Sequence, residues 1–342
     1  MAEEQQRGCL RRSLAIVVSL AIVVVLVIAA LFSYWYLGPY GNFRTQTFIE
    51  IEHGMSSRAI AQTLESHGVV RSRWAFLAVR LLHPRAGLQA GEYRFGAEQT
   101  PFQIFDKLHR GEIFYEELTI PEGSNIFDIA GLLKNSDTVS AQAFLSAAAD
   151  TSSIHDLDPQ APSLEGYLFP STYRVTHKTT ASQLCRIMTE EFRKQWKLLG
   201  GDKQGTRIHD IVTLASLVEK EAAASGERPQ VASVFFNRLR LSMPLQCDPT
   251  TVYAALLENR YRGTIYRSDL TSVSPYNTYT HSGLPPGPIA NPGVMSLKAA
   301  LYPATTNYLY FVARPNGAGS TVFSSSLAEH EKAVLEYRKG KH

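Results

Sequence analysis

Apolar and polar positions fall into three regimes along this chain, and the first is an unbroken apolar run. Between Arg12 and Arg44 no residue is charged, and eighteen of the twenty side chains from Ser13 to Phe32 are apolar. Twenty residues at about 1.5 Å each match the roughly 30 Å hydrocarbon core of a bilayer. A secretory signal peptide shares the order of basic flank, apolar run and small residues (Ala29, Ala30), but its apolar region spans only about 7–15 residues. Here the run is longer, and Tyr34, Trp35 and Tyr36 follow where an interfacial aromatic belt belongs. Residues 13–36 therefore read as an uncleaved transmembrane helix. Arg7, Arg11 and Arg12 beside it place residues 1–12 in the cytoplasm and the remainder outside, in a periplasm or equivalent space.

The second regime alternates short strand and helix patterns. Phe48–Ile51 alternates like a strand, Gly54 offers a turn, and Ile60, Ala61 and Leu64 have helical spacing. Sixty-nine residues later the layout returns: Ile51, Gly54, Ile60, Ala61, Leu64 and Val70 align with Ile120, Gly123, Ile129, Ala130, Leu133 and Val139. Two related α/β units are one reading; coincidence within a common pattern is the other.

From about residue 179 helical periodicity takes over, with helices expected over Ala181–Leu199, Ile208–Ala224 and Val231–Leu241. Asp248-Pro249 reads as an N-cap followed by proline, opening a helix that runs to about Leu257. Tyr308–Ala313 and Thr321–Phe323 form an expected hairpin around Asn316-Gly317-Ala318-Gly319, and Ser326-Leu327-Ala328-Glu329 is a capping-box pattern for a last helix. The fold class is α+β. The 22 residues Ser272–Gly293 hold five prolines and three glycines and follow neither period. Loops of this length are functional or disordered. Tyr276, Asn277, Tyr279 and His281 on a proline-stiffened backbone suit a rigid binding wall; an ordered loop without a ligand is the plainer alternative.

Composition sharpens this picture at two points. The formal net charge of the 342 residues is +3, and residues 1–44 carry four arginines against two glutamates, leaving 30 basic and 29 acidic residues beyond them. So balanced a body lacks the basic face that nucleic acid requires. Of the three cysteines, Cys9 precedes the span, and a Cys185–Cys247 bridge is open to the chain without being demanded by the spacing. There is no zinc-type spacing, HExxH, Walker loop or GxSxG, so no metal or other cofactor is expected.

The chemistry then rests on carboxylates. The helix containing Leu214-Ala215-Ser216-Leu217-Val218-Glu219-Lys220-Glu221 is mostly apolar but carries two glutamates. Glu219 shares a face with the small residues Ala215 and Ala222, which leaves room for approach. Glu221 lies roughly 200° round the helix, so the two do not form a glycosidase-type pair. On pattern alone, a glutamate beside a lysine is a solvated surface residue.

The blocks Leu217–Glu221, Val231–Leu239, Leu245–Thr250, Tyr276–Tyr279, Gly283–Ile289 and Asn291–Gly293, with Leu164–Pro170 and Pro121–Gly123 upstream, together resemble those of the YceG-like family of endolytic murein transglycosylases. The resemblance implies a membrane-anchored enzyme of the bacterial inner membrane that cuts the MurNAc–GlcNAc bond within peptidoglycan strands and leaves 1,6-anhydro ends. Glu219 stands at the family's catalytic glutamate, acting first as acid and then as base for the muramoyl 6-hydroxyl. Gln246, Asp248, Asn277, Tyr279 and Asn237 are the expected sugar contacts. Asp248 is otherwise an N-cap, and Asn237 otherwise a brace. Cys247 stands where Thr or Ser is expected. Glu165 and Glu227 are further acids with a structural reading, and His281 is a base that the mechanism does not need. Residues 45–115 resemble the family's LysM-like subdomain, implying glycan binding, with a spacer as the alternative; residues 116–342 form the catalytic domain. Expected partners are glycan strands, the membrane and peptidoglycan synthases. Competing functions are a non-catalytic, anchored peptidoglycan-binding scaffold and a hydrolase yielding reducing ends.

Overall fold

The computed structural model describes residues 2–134, 136, 138–203, 205, 207–222, 224–314 and 320–339. It is an α+β chain that divides into two compact units, Met1–Glu116 and Glu117–His342.

The first unit opens with helix α1 (Ala2–Leu37), within which Ile16–Tyr34 has a mean hydropathy of 3.2 and packs against nothing in the protein. Among the described residues it is the one helix long and apolar enough to cross a membrane. The following chain is tied down at once: Tyr40 bridges Gln99, and the Asn42 amide donates to the Gly68 carbonyl. Strand β1 (Thr47–Ile51) is followed by α2 (Ser57–Ser66) and α3 (Arg73–Leu82), then β2 (Gly91–Phe95) and α4 (Pro101–Arg110). The strands pair antiparallel from Thr47 opposite Phe95 to Ile51 opposite Gly91. Alternation sends Ile49 and Ile51 inward onto Leu64, Phe76, Ile104 and Leu108. Thr100 and Gln103 cap α4 reciprocally, with Pro101 in its first turn.

The second unit begins with β3 (Glu116–Thr119), α5 (Ile126–Leu133) and α6 (Ala141–Ala148), and β3 pairs with β4 (Thr172–Val175). Helices α7 (Ala181–Leu198), α8 (Ile208–Glu221), α9 (Arg228–Arg240), α10 (Asp248–Leu257), α11 (Arg267–Leu270) and α12 (Val294–Leu301) follow. A hairpin of β5 (Tyr310–Ala313) and β6 (Thr321–Ser324) then leads into α13 (Leu327–Lys339). Ile211 through Val218 are all buried, so α8 is the central core helix, with α12 packed on it and on α9. A helix apolar on every side must be covered on every side. Its charged groups therefore collect at its ends.

The sequence repeat corresponds to equivalent local structure in each unit. Gly54 and Gly123 both adopt positive φ (83° and 77°), a conformation cheap only for glycine. Ser56 and Asn125, also 69 apart, cap α2 and α5, and the five aligned apolar pairs of the pattern are buried in each copy.

Three details differ from expectation. Helix α8 stops at Glu221, because Ala222 turns extended before the chain re-enters a helix at Arg228. Asp248 is the first residue of α10 rather than its N-cap; Cys247 holds the cap position and the Asp248 side chain turns elsewhere. Cys185 and Cys247 are both buried free thiols, so the bridge is not formed. The hairpin strands stand where expected, while the Asn316–Gly319 turn lies outside the described residues.

Candidate active site

The buried course of α8 ends at Val218, and its last turn delivers Glu219 and Glu221 to different surroundings. Glu219 is 6% exposed and fully engaged: Arg228 Nη2 donates to Oε1 at 2.8 Å and the Gly293 amide to Oε2 at 2.9 Å. Arg228 Nε also donates to Ser296 Oγ at 2.9 Å, and its guanidinium lies 4.0 Å from the Glu122 carboxylate. A β-carbon on Gly293 would fall 2.0 Å from Glu122 Oε1, so a larger residue there would push that carboxyl aside. Burial raises the Glu122 pKa, the Glu219 charge raises it further, and Arg228 opposes both. This cluster ties the end of α8 to the starts of α9 and α12 and to the Pro121–Gly123 turn.

Glu221 faces a cavity of about 320 Å³ that it shares with Gln246, Asp248, Tyr279, Arg238 and His330. Burial pushes its carboxyl pKa up; a hydrogen bond with the Cys247 thiol opposes the shift and the Asp248 charge adds to it. Tyr279 donates its hydroxyl to Asp248 Oδ1 at 2.5 Å. Gln246 holds a left-handed φ of 53°, a strained conformation for a side-chain-bearing residue and one that clusters at functional sites. Arg238 is committed to the Leu309 and Leu245 carbonyls at 2.7 and 3.0 Å, so it braces the wall. The result is a carboxyl of raised pKa beside Gln246, Tyr279 and the Asp248 carboxylate, a set able to hydrogen-bond a polar ligand and to move a proton.

The Ser272–Gly293 loop has no regular secondary structure and is held from within. Asn277 is fully buried and donates to the Leu270 and Ser272 carbonyls at 3.1 and 2.7 Å while accepting the Tyr279 amide at 3.0 Å. It orients Tyr279 and does not itself reach the cavity. Asn237 likewise spends its amide on the Thr306 and Tyr308 carbonyls, at 2.8 and 3.0 Å. The structure thus gathers Gln246, Asp248 and Tyr279 around Glu221, while Asn277 and Asn237 spend their amides on backbone carbonyls and Glu219 pairs with Arg228 and the Gly293 amide. Glu165 is buried, accepting from Ile126 N and Asn291 Nδ2, and Glu227 accepts from Thr321. His281 is exposed and pairs with Thr280. Arg228, Glu122 and His330 escaped sequence reasoning, because their partners lie on other elements at separations no periodicity reports.

Size does not select this site. Cavities of about 530 and 760 Å³ lie elsewhere in the unit. In the first, the Asp158 carboxylate is taken by Tyr167 and His209 and Asp202 is exposed, and no carboxylate lines the second. A further cavity of about 270 Å³, with Lys220, Asn125, Tyr253 and Ile265, shares Asp248 with the Glu221 cavity.

Fold and site together define an α+β protein whose core helix ends at a polar, carboxyl-bearing cavity. Residues 49–336 match the sequence model of the YceG-like family, and the chain belongs to that family. It is 35% identical over 317 residues to the endolytic murein transglycosylase of Bacillus subtilis, covering 87% of both chains. It is 29% identical to the Streptococcus pneumoniae protein of that name, of which it spans 60%. The crystal structure of a YceG-like protein from Listeria monocytogenes superposes with a TM-score of 0.56 at 33% identity, covering 84% of this chain and 98% of that one.

Proposed function

We propose that this protein is a peptidoglycan lytic transglycosylase that cuts within glycan strands, with Glu221 as its acid and then its base. The observation that carries the assignment is the pairing of environments on α8: Glu219 is locked between Arg228 and the Gly293 amide, while Glu221 opens on the polar cavity with its pKa raised. Protonated Glu221 donates its proton to the glycosidic oxygen between MurNAc and GlcNAc as that bond breaks. The resulting carboxylate then takes the proton of the muramoyl 6-hydroxyl, whose oxygen bonds to the anomeric carbon and closes the 1,6-anhydro ring. The first proton leaves on the GlcNAc hydroxyl, the 6-hydroxyl proton restores the acid form of Glu221, and no water enters. Gln246, Asp248 and Tyr279 position the sugars, the last two as a hydrogen-bonded pair.

The first unit holds a glycan strand in the manner of a LysM module, and α1 anchors the chain once through the inner membrane with residues 1–12 in the cytoplasm and the catalytic unit in the periplasm. The extended reach of Leu37–Thr47 is at most about 35–40 Å, and the Tyr40–Gln99 bridge shortens it further. Strands newly made at the membrane, beside their synthases, are the substrate that this tether favours.

The test is mass spectrometry of purified glycan incubated with wild type, Glu221→Gln and Glu219→Gln. New anhydro ends from wild type and Glu219→Gln but not from Glu221→Gln support the assignment. Loss in Glu219→Gln alone returns the role to Glu219, water incorporation means a hydrolase, and no new ends from wild type means a scaffold.

A further inference from the structure

We propose that His330, on the C-terminal helix α13, is a glycan-contacting residue that presents a neutral imidazole to a hydroxyl or acetamido group of the sugar bound beside Glu221. The proposal rests on the glycan-cleaving reading above and adds a residue from an element that neither the sequence motifs nor the mechanism had placed in the site. His330 lines the same cavity as Glu221, Gln246, Asp248 and Tyr279. Its ring is fixed in a stack on Tyr310, with centroids 5.1 Å apart and planes 19° from parallel, and the Arg238 guanidinium carbon lies 5.1 Å from that tyrosine's centroid.

Packing alone does not account for a histidine here. Its Nδ1 is buried and has no hydrogen-bond partner among the described residues. A phenylalanine would fill the same stack without burying an unpaired nitrogen, which is a cost that structural positions avoid. Burial, and secondarily the Arg238 charge, push the imidazole pKa down, with Glu331 opposing. A neutral imidazole has one donor and one acceptor. That pair matches the hydroxyls and acetamido groups of a sugar, whereas a stem-peptide carboxylate would call for a charged ring. The cavity is thereby fitted to the uncharged part of peptidoglycan.

The experiment uses the full chain in detergent micelles with purified glycan strands, measuring kcat and KM separately, retention of uncleaved strands, and melting temperature. His330→Phe keeps the stack and removes both nitrogens; it should raise KM about five- to tenfold, the scale of one hydrogen bond, with the melting temperature held. His330→Asn and His330→Gln place an amide near Nδ1 and Nε2 respectively, and one of them should recover most of the loss. A His330→Phe protein with wild-type KM and strand retention overturns the proposal, as does an equal loss in all three variants. Should wild type make no anhydro ends, the glycan-cleaving reading fails on its own, and strand retention by wild type against His330→Phe still decides the role of His330.

Discussion

Glu219 and Glu221 stand two residues apart in the last turn of α8 and face unlike surroundings: Glu219 grips Arg228 at 2.8 Å, and Glu221 looks into a polar cavity beside the Cys247 thiol. The separation follows from helix geometry, since two residues advance about 200° around the axis. One glutamate is therefore held by an ion pair and a backbone amide, and the other opens on the cavity where the proposed chemistry takes place.

Activity should separate the two. Glu221→Gln removes the proton donor and should lower the rate of anhydro-end formation by about 10²–10⁴-fold, the range for general acid–base catalysis. In wild type, turnover should fall as pH rises through the raised carboxyl value, because the acid form of Glu221 is lost. A pH–rate profile with no alkaline decline would count against this residue.

Stability should separate them in the opposite sense. Glu219→Gln leaves Arg228 buried at 11% exposure with its close ion pair gone. Removing one partner of such a pair costs about 3–5 kcal/mol, so denaturant unfolding should show a lowered midpoint while anhydro ends still form. Glu221→Gln should unfold close to wild type.

How much of this was legible beforehand depends on where each interaction closes. The span, the repeat and α7 follow from periodicity, which one stretch of chain carries by itself. The α+β class and the hairpin strands followed for the same reason. Asp248 shows the limit: Asp-Pro is a sound capping signal, yet the Tyr279 hydroxyl, from a loop 31 residues on, claims the carboxylate and the cap falls on Cys247. The same holds for Asn277 and Asn237, for which the resemblance implied sugar contacts and whose amides serve backbone carbonyls that only the folded chain brings near. Glu219 and Glu221 could be told apart by angle from the sequence, but not by surroundings, because Arg228, Gly293 and Cys247 come from other elements.

Glu165 offers a second pH test, independent of catalysis. Full burial pushes its carboxyl pKa up to about 8, against hydrogen bonds from Ile126 and Tyr253 that lower it. With the folded pKa above the unfolded one, the unfolded chain releases its proton first as pH rises. The stability contributed is full below the unfolded value and is lost progressively up to about pH 8. Melting temperature should accordingly decline between about pH 5 and 8, and Glu165→Gln, which cannot titrate, should flatten that decline. An unchanged slope in the variant would mean that Glu165 does not bind a proton in the fold.

The orientation of the anchor can be read from thiol chemistry. Cys9 precedes the apolar span, whereas Cys185 and Cys247 are 3% and 1% exposed in the folded unit beyond it. A membrane-impermeant maleimide applied to intact spheroplasts should leave the native protein unlabelled, since the proposed orientation puts Cys9 on the cytoplasmic face and the other two thiols are covered. Opening the membrane should admit one label per chain, and Cys9→Ser should abolish it. Labelling of Cys9 from outside would reverse the orientation and place the carboxyl pocket in the cytoplasm, where no peptidoglycan strand would reach it. The topology and the proposed substrate therefore stand or fall together in this measurement.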